Sequence, residues 1–140
     1  MATIRPFKGF RPTPELCSKV AALPYDVMTS KEAREMVKND PYSFLHVDRA
    51  EIDLPENVDI YSKEVYEKAA SNLNKMIEDK VLIQDSKPVF YIYSLTMNGR
   101  EQIGLVVCTS IDEYLNNTIK KHEFTRADKE QDRINHVDYC

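Results

Sequence analysis

The sequence predicts an α+β fold: a single domain whose mixed or antiparallel sheet contains a central hairpin, at about 89–109, with helices packed on it. Two stretches carry this reading. Residues 89–111, VFYIYSLTMNGREQIGLVVCTSI, place two β-rich runs on either side of Asn98-Gly99. Residues 63–80 repeat apolar side chains at intervals of three and four. At 140 residues the chain is long enough for one core and too short for two.

The elements follow in order. Pro6, Pro12, Pro14 and Pro24 break the first 28 residues into short extended pieces and turns, with a strand around Ile4 to Phe10. Thr29 and Glu32 have capping-box spacing and open a helix that ends near Asn39, before Pro41. SFLHVD (43–48) has the content of a strand, with Phe44, His46 and Asp48 on one face and Leu45 and Val47 on the other. ENVD (56–59) is a loop. Val65, Tyr66, Ala69, Ala70, Leu73, Met76 and Ile77 then form one helical stripe. Asn98-Gly99 fits a type I′ turn, which pairs Met97 with Arg100, Tyr93 with Gly104 and Tyr91 with Val106. Because the base of this hairpin is apolar on both faces, a covered sheet is expected. Ser110 caps a short helix, and Thr125 with Asp128 caps a last one.

Composition excludes several function classes. A net charge of -4 with intermixed signs leaves no basic stripe for general nucleic-acid or anionic-membrane binding. No apolar run is long enough to span a bilayer, and MATIRPFKGF is not a signal peptide. Three scattered cysteines (Cys17, Cys108, Cys140) fit a reducing cytoplasm better than a disulfide framework or a zinc knuckle. Cys17 and Cys108 are expected in the core. With only Gly9, Gly99 and Gly104, neither a P-loop nor a dinucleotide fingerprint is present.

Polar chemistry gathers in three places. The first is KKHEFTRADKEQDRINH (120–136), which holds two of the three histidines. As an exposed helix it would show a thin stripe of Ala127, Ile134 and Val137. Its pairs, Arg126 with Glu130 and Asp132 with His136, would each contribute about 0.3–0.5 kcal/mol. As a site, it would set His122, Glu123, Arg126, Asp128 and Arg133 against an anionic or phosphorylated ligand, since imidazole exchanges protons near neutrality and arginine forks onto phosphate. The spacing of His122-Glu123 and His136 is not that of a zinc-binding His-Glu-x-x-His helix, so no protein metal site is expected. The second place is HVDRAE (46–51), which would hold His46, Asp48, Arg49 and Glu51 at a strand end. The third is FKGFRP with PYD, where Lys8, Arg11 and Asp26 sit among prolines and aromatics and a covering role is favoured.

RPFKGFRPTPE, ALPYDVM, NDPYSFLHVDRAEIDLPE, FYIYSLTMNGREQIGLV and IKKHEFTRADKEQDRINHVD together resemble the N-terminal part of the prokaryotic DUF1015 family, proteins of unknown function, over nearly the whole chain. Family members continue into an Asp-Gly-His-His-Arg stretch similar to one in the ParB-like and sulfiredoxin-like superfamily. That resemblance implies a nucleotide-dependent small-molecule phosphotransferase, with free serine as one acceptor and ATP or ADP with Mg²⁺ as donor. The resemblance favours a functional role for residues among His122, Glu123, Arg126, Asp128 and Arg133 without assigning it. For such a reaction the residue reading offers Glu123 or His122 for catalysis, and Arg126, Arg133 and Asp128 with Arg49, His46 and Asp48 of HVDRAE for ligand or phosphate contacts. The alternative from another class is a noncatalytic binding or regulatory module for an anionic metabolite. Because this chain stops at Cys140 without the Asp-Gly-His-His-Arg stretch, it is expected to be an N-terminal segment. Self-association through an uncovered apolar surface is then expected as well.

Overall fold

A computed structural model describes residues 1–120 and 126–140. The elements are β1 (Ile4–Arg5), β2 (Phe10–Pro12), α1 (Cys17–Val20), α2 (Ser30–Val37), α3 (Leu45–Asp48), a 3₁₀ turn (Ala50–Asp53), α4 (Lys63–Glu78), β3 (Leu82–Gln84), β4 (Tyr91–Met97), β5 (Arg100–Val106), β6 (Cys108–Thr109), α5 (Ile111–Leu115) and α6 (Ala127–Tyr139). The fold is α+β. Its strands pair as β1–β6, β2–β3 and β4–β5, and the chain forms two compact units.

The helical unit contains Arg11–Ile83 and the C-terminal helix. Thr29 opens α2 as the sequence predicts: its hydroxyl accepts from the Glu32 N–H, and the Glu32 carboxylate accepts from the Thr29 N–H. The apolar stripe of α4 buries Val65, Tyr66, Ala69 and Met76. This helix stops where Lys80 takes a positive φ of 58° and the Val81 N–H returns to the Met76 carbonyl.

Residues 43–48 depart from expectation, forming a helical turn in place of a strand. The Ser43 hydroxyl accepts from the Leu45 N–H at 3.3 Å, and the Ser43 carbonyl accepts from the His46 N–H at 3.2 Å. These local bonds favour a helix start over a ladder. Two residues apart on a helix point about 200° apart, and Leu45 and Val47 accordingly enter different clusters. Leu45 packs with Ala33, Val37 and Ile52, and Val47 with Val20, Met76, Val81 and Leu82.

The second unit contains Met1–Phe10 and, among the described residues, 84–120. Its hairpin has the predicted register, with Met97 opposite Arg100, Tyr93 opposite Gly104 and Tyr91 opposite Val106. Asn98 and Gly99 supply φ angles of 52° and 77°. Ser110 caps α5 by accepting from the Glu113 N–H. At its base the hairpin is wedged open. Phe7 bridges Val89, and Arg5 pairs with Cys108, the residue that continued register would set opposite Val89. The expected single strand at Ile4–Phe10 is therefore split.

The hairpin is not covered, contrary to expectation. Ile92 is 76% exposed, Met97 76% and Ile103 69%. Nor are Cys17 and Cys108 core residues; all three cysteines are exposed. Apolar content on both faces does not by itself bring burial, and here these side chains lie exposed.

Candidate functional site

Within the helical unit α6 docks through polar contacts. The His136 Nε2–H donates to the Val47 carbonyl at 2.9 Å. The Tyr66 hydroxyl donates to Asp132 Oδ1 at 3.0 Å, and its ring stacks on Tyr139 at 5.7 Å and meets His136 edge-on at 6.3 Å. Asp132, His136 and Tyr139 recur at intervals of four and three, so they share one helix face. Ile134 and Val137, the expected inward stripe, lie 47% and 76% exposed. The expected Asp132–His136 pair gives way to these separate partners.

Arg133 sits at the centre of a small cleft. Its guanidinium lies 4.2 Å from the Tyr25 ring centroid. Nη2 and Nε donate to Asp132 Oδ2 at 2.8 and 3.3 Å. Nη1 points at Asp48 Oδ1 across 4.0 Å, too long for a hydrogen bond. Lys129 also lines the cleft, whose cavity volume is about 40 Å³. That is room for a few waters or a small oxyanion group, not for a nucleotide.

Burial pushes the Asp48 carboxyl above its ordinary range, and the positive charges of His136 and Arg133 only partly offset this. Although Cys140 is exposed as a residue, partial desolvation of its thiol raises it, with the Asp48 charge adding to the effect. The Tyr66 phenol is raised chiefly by burial too. Asp48 is thus a half-buried carboxylate whose proton affinity is raised, in a loose ion pair with Arg133 and without a hydrogen bond from it.

HVDRAE and the last helix therefore meet in one place, but not every expected residue takes part in the gap. Arg49 is fully committed to structure. Its Nε donates to Glu51 Oε1 at 2.8 Å, Nη1 to the carbonyls of Tyr25 and Met28 at 2.9 and 3.1 Å, and Nη2 to the Ser30 hydroxyl at 2.8 Å. Glu51 is buried and also accepts from Ser30 at 2.8 Å. Arg34, which the sequence reading did not single out, donates to the carbonyls of Glu51, Ile52 and Leu54. Together these arginines hold the 3₁₀ turn in place.

His46 is separated from Asp48 because the segment is a helix, so the expected shared face is lost. It lies in another cleft, of about 540 Å³, with Tyr42, Lys68 and Met76. Its Nδ1 meets the Asp53 carboxylate at 2.9 and 3.0 Å, and its Nε2 meets the Asp40 carbonyl at 3.2 Å. Asn72 Nδ2 bridges the His46 carbonyl and Asp53 at 2.6 and 2.7 Å. This network is internally satisfied and reads as a brace.

Arg126 is exposed at the N-cap of α6 and does not line the cleft. His122, Glu123 and the Thr125 cap lie outside the described residues, as does the Asp128 side chain. Tyr66, Lys129 and Tyr25 belong to the cleft and had no sequence signal of their own; Tyr66 read simply as part of the α4 stripe. Among the described residues no group of three or more His, Cys, Asp or Glu is placed to hold a metal ion. No helix among them is long and apolar enough to cross a membrane.

Residues 4–140 match the model of the family described as "Protein of unknown function (DUF1015)". No curated protein and no solved structure matches.

Proposed function

The chain belongs to that family, and from this premise we propose that it supplies the phosphate-recognising wall of a small-molecule phosphotransferase acting on a hydroxyl, with free serine the first acceptor to try. The observation that carries the proposal is the 4.0 Å gap between Arg133 Nη1 and Asp48 Oδ1. A phosphoryl oxygen fits against Arg133, with Lys129 as second cation. Asp48, its proton affinity raised by burial, takes the proton from the acceptor hydroxyl as that oxygen bonds to phosphorus and the donor's P–O bond breaks. Glu123 or His122 is the base expected from sequence; among the described residues Asp48 suits that role best. Only the terminal phosphate of an ATP or ADP donor matches the cleft's volume. Mg²⁺ would travel with those phosphates, since among the described residues no cluster of carboxylates and imidazoles is placed to hold it.

The small volume favours a second reading, a noncatalytic module that binds an anionic metabolite. Thermal shift with ATP, ADP and inorganic phosphate, each with Mg²⁺, and a phosphoserine assay separate the two. The first reading expects stabilisation that Arg133→Ala abolishes, and phosphoserine formation that Asp48→Asn abolishes while stabilisation survives. Stabilisation with no phosphoserine selects the second reading. If none of these probes stabilises the chain, neither reading stands.

A further inference from the structure

We infer that two copies of this chain pair through the outer edges of their β4 strands, in an antiparallel ladder whose two-fold axis passes at Ser94. Among the described residues β4 and β5 are each other's only ladder partners. The two-residue turn at Asn98-Gly99 makes Met97 and Arg100 a hydrogen-bonded pair. The odd-numbered residues of β4 therefore turn their amides towards β5, and Ile92, Ser94 and Thr96 turn theirs outward. Val89 keeps the same parity. Its N–H and C=O are both used by Phe7, at 3.0 and 3.1 Å, so the wedge occupies the inner side and the outer edge has no ladder partner among the described residues.

Exposed strand edges are normally blunted by lysine, proline, other charges or a bulge. YIYSLTM, the whole of β4, contains no charged residue and no proline. Pairing about Ser94 sets Ile92 against Thr96 of the second copy and Ser94 against itself. All are outward-facing, so the hydrogen-bonding parity of the two edges agrees. Between them Tyr93 meets Leu95 of the second copy in the closer, non-hydrogen-bonded pair. These two side chains are 56% and 52% exposed in the single chain.

Charge selects this edge over the other. The equivalent ladder on β5, centred at Ile103, would put Glu101 against Leu105, and Glu101 already accepts from the Ser94 hydroxyl at 2.7 Å. β4 itself puts no charged residue into its ladder. It is also its own complement, which identifies the occupant as a second copy.

The test uses the full 140-residue chain. Sedimentation velocity over a concentration series is expected to show a reversible monomer–dimer equilibrium that Ile92→Lys abolishes and Ile103→Lys leaves in place. Both positions are largely exposed, so neither variant threatens folding. In a chain carrying Cys17→Ser, Cys108→Ser and Cys140→Ser, Ser94→Cys should oxidise to a covalent dimer, because hydrogen-bonded partners lie about 5.5 Å apart at Cα, within disulfide reach. Thr96→Cys, which faces Ile92, should not. The inference is overturned by a monomer at every concentration, by open-ended assembly, by equal crosslinking of the two cysteine variants, or by Ile103→Lys dissociating the dimer as fully as Ile92→Lys.

Discussion

Replacing Arg49 with methionine keeps a long apolar stem and removes the guanidinium that ties the Tyr25–Ser30 loop to the 3₁₀ turn. Four hydrogen bonds go with it: one to Glu51, two to the carbonyls of Tyr25 and Met28, and one to the Ser30 hydroxyl. The Glu51 side chain is only 6% exposed, so its carboxylate is left buried with Ser30 as its remaining partner. Breaking a buried ion pair from one side costs about 3–5 kcal/mol. For a chain of this size that lowers the melting temperature by roughly 10–20 °C. Urea denaturation followed by far-UV circular dichroism reads the effect, because α1 to α4 and α6 lie in the unit concerned. Adding Glu51→Leu should recover much of the loss, since an apolar pair of similar volume often replaces a buried ion pair without penalty. A single variant within about 1 kcal/mol of the parent would refute the structural role. So would a stable Arg49→Met protein that has lost its response to phosphate ligands.

His46 gives a pH prediction with a definite sign. Both ring nitrogens face acceptors, so the imidazolium is the form that fits, and the hydrogen bond to Asp53 raises its pKa above the ordinary 6.5 despite partial burial. Its contribution to stability should be complete below about pH 6.5 and fade as pH rises through the raised value. His46→Gln should remove that slope, and an unchanged slope in pH-dependent urea titrations would sink the assignment. In the other unit, Gly9→Ala drives a Cβ to 2.8 Å from the Tyr91 hydroxyl, which accepts the Gly9 N–H at 2.6 Å and donates to Asp85 at 2.5 Å. Hydrogen exchange at the Phe7–Val89 bridge should accelerate, by the equivalent of about 1–3 kcal/mol for disrupting these bonds. Protection equal to the parent's would contradict the contact.

Local chemistry explains which elements were legible. The Thr29–Glu32 box, the Ser110 cap, the α4 stripe and the Asn98-Gly99 register are set by neighbours within a few residues, and each formed as predicted. SFLHVD failed because alternation over six residues cannot by itself distinguish a strand from a helical turn. Ser43, able to accept from the N–H two residues on, was the overlooked cue. The hairpin shows the opposite limit. Periodicity tells which side chains are apolar, but burial depends on what lies over them, and Ile92, Met97 and Ile103 are open.

The candidate site was legible as two polar strings but not as a division of labour. Composition marks Arg49 and Arg133 equally, and so do the motifs that carry the family likeness. What separates them is the number of acceptors within reach. Arg49 meets a carboxylate, two carbonyls and a hydroxyl. Arg133 spends two nitrogens on Asp132 and leaves the third 4.0 Å from Asp48. The same reasoning reverses the reading of α6. A helix with so thin an apolar stripe looks solvated, yet it docks through Asp132, His136 and Tyr139, whose partners Tyr66 and Val47 lie far away in sequence. Such docking relies on hydrogen bonds that each contribute only about 0.5–1.5 kcal/mol net, so no hydrophobic pattern announces it. It also fixes Arg133 more narrowly than apolar packing would, because directional bonds on either side of it set the rotation of the helix. A polar helix face is thus the means by which Arg133 is held opposite the half-buried Asp48 carboxylate, at the 4.0 Å limit of an ion pair.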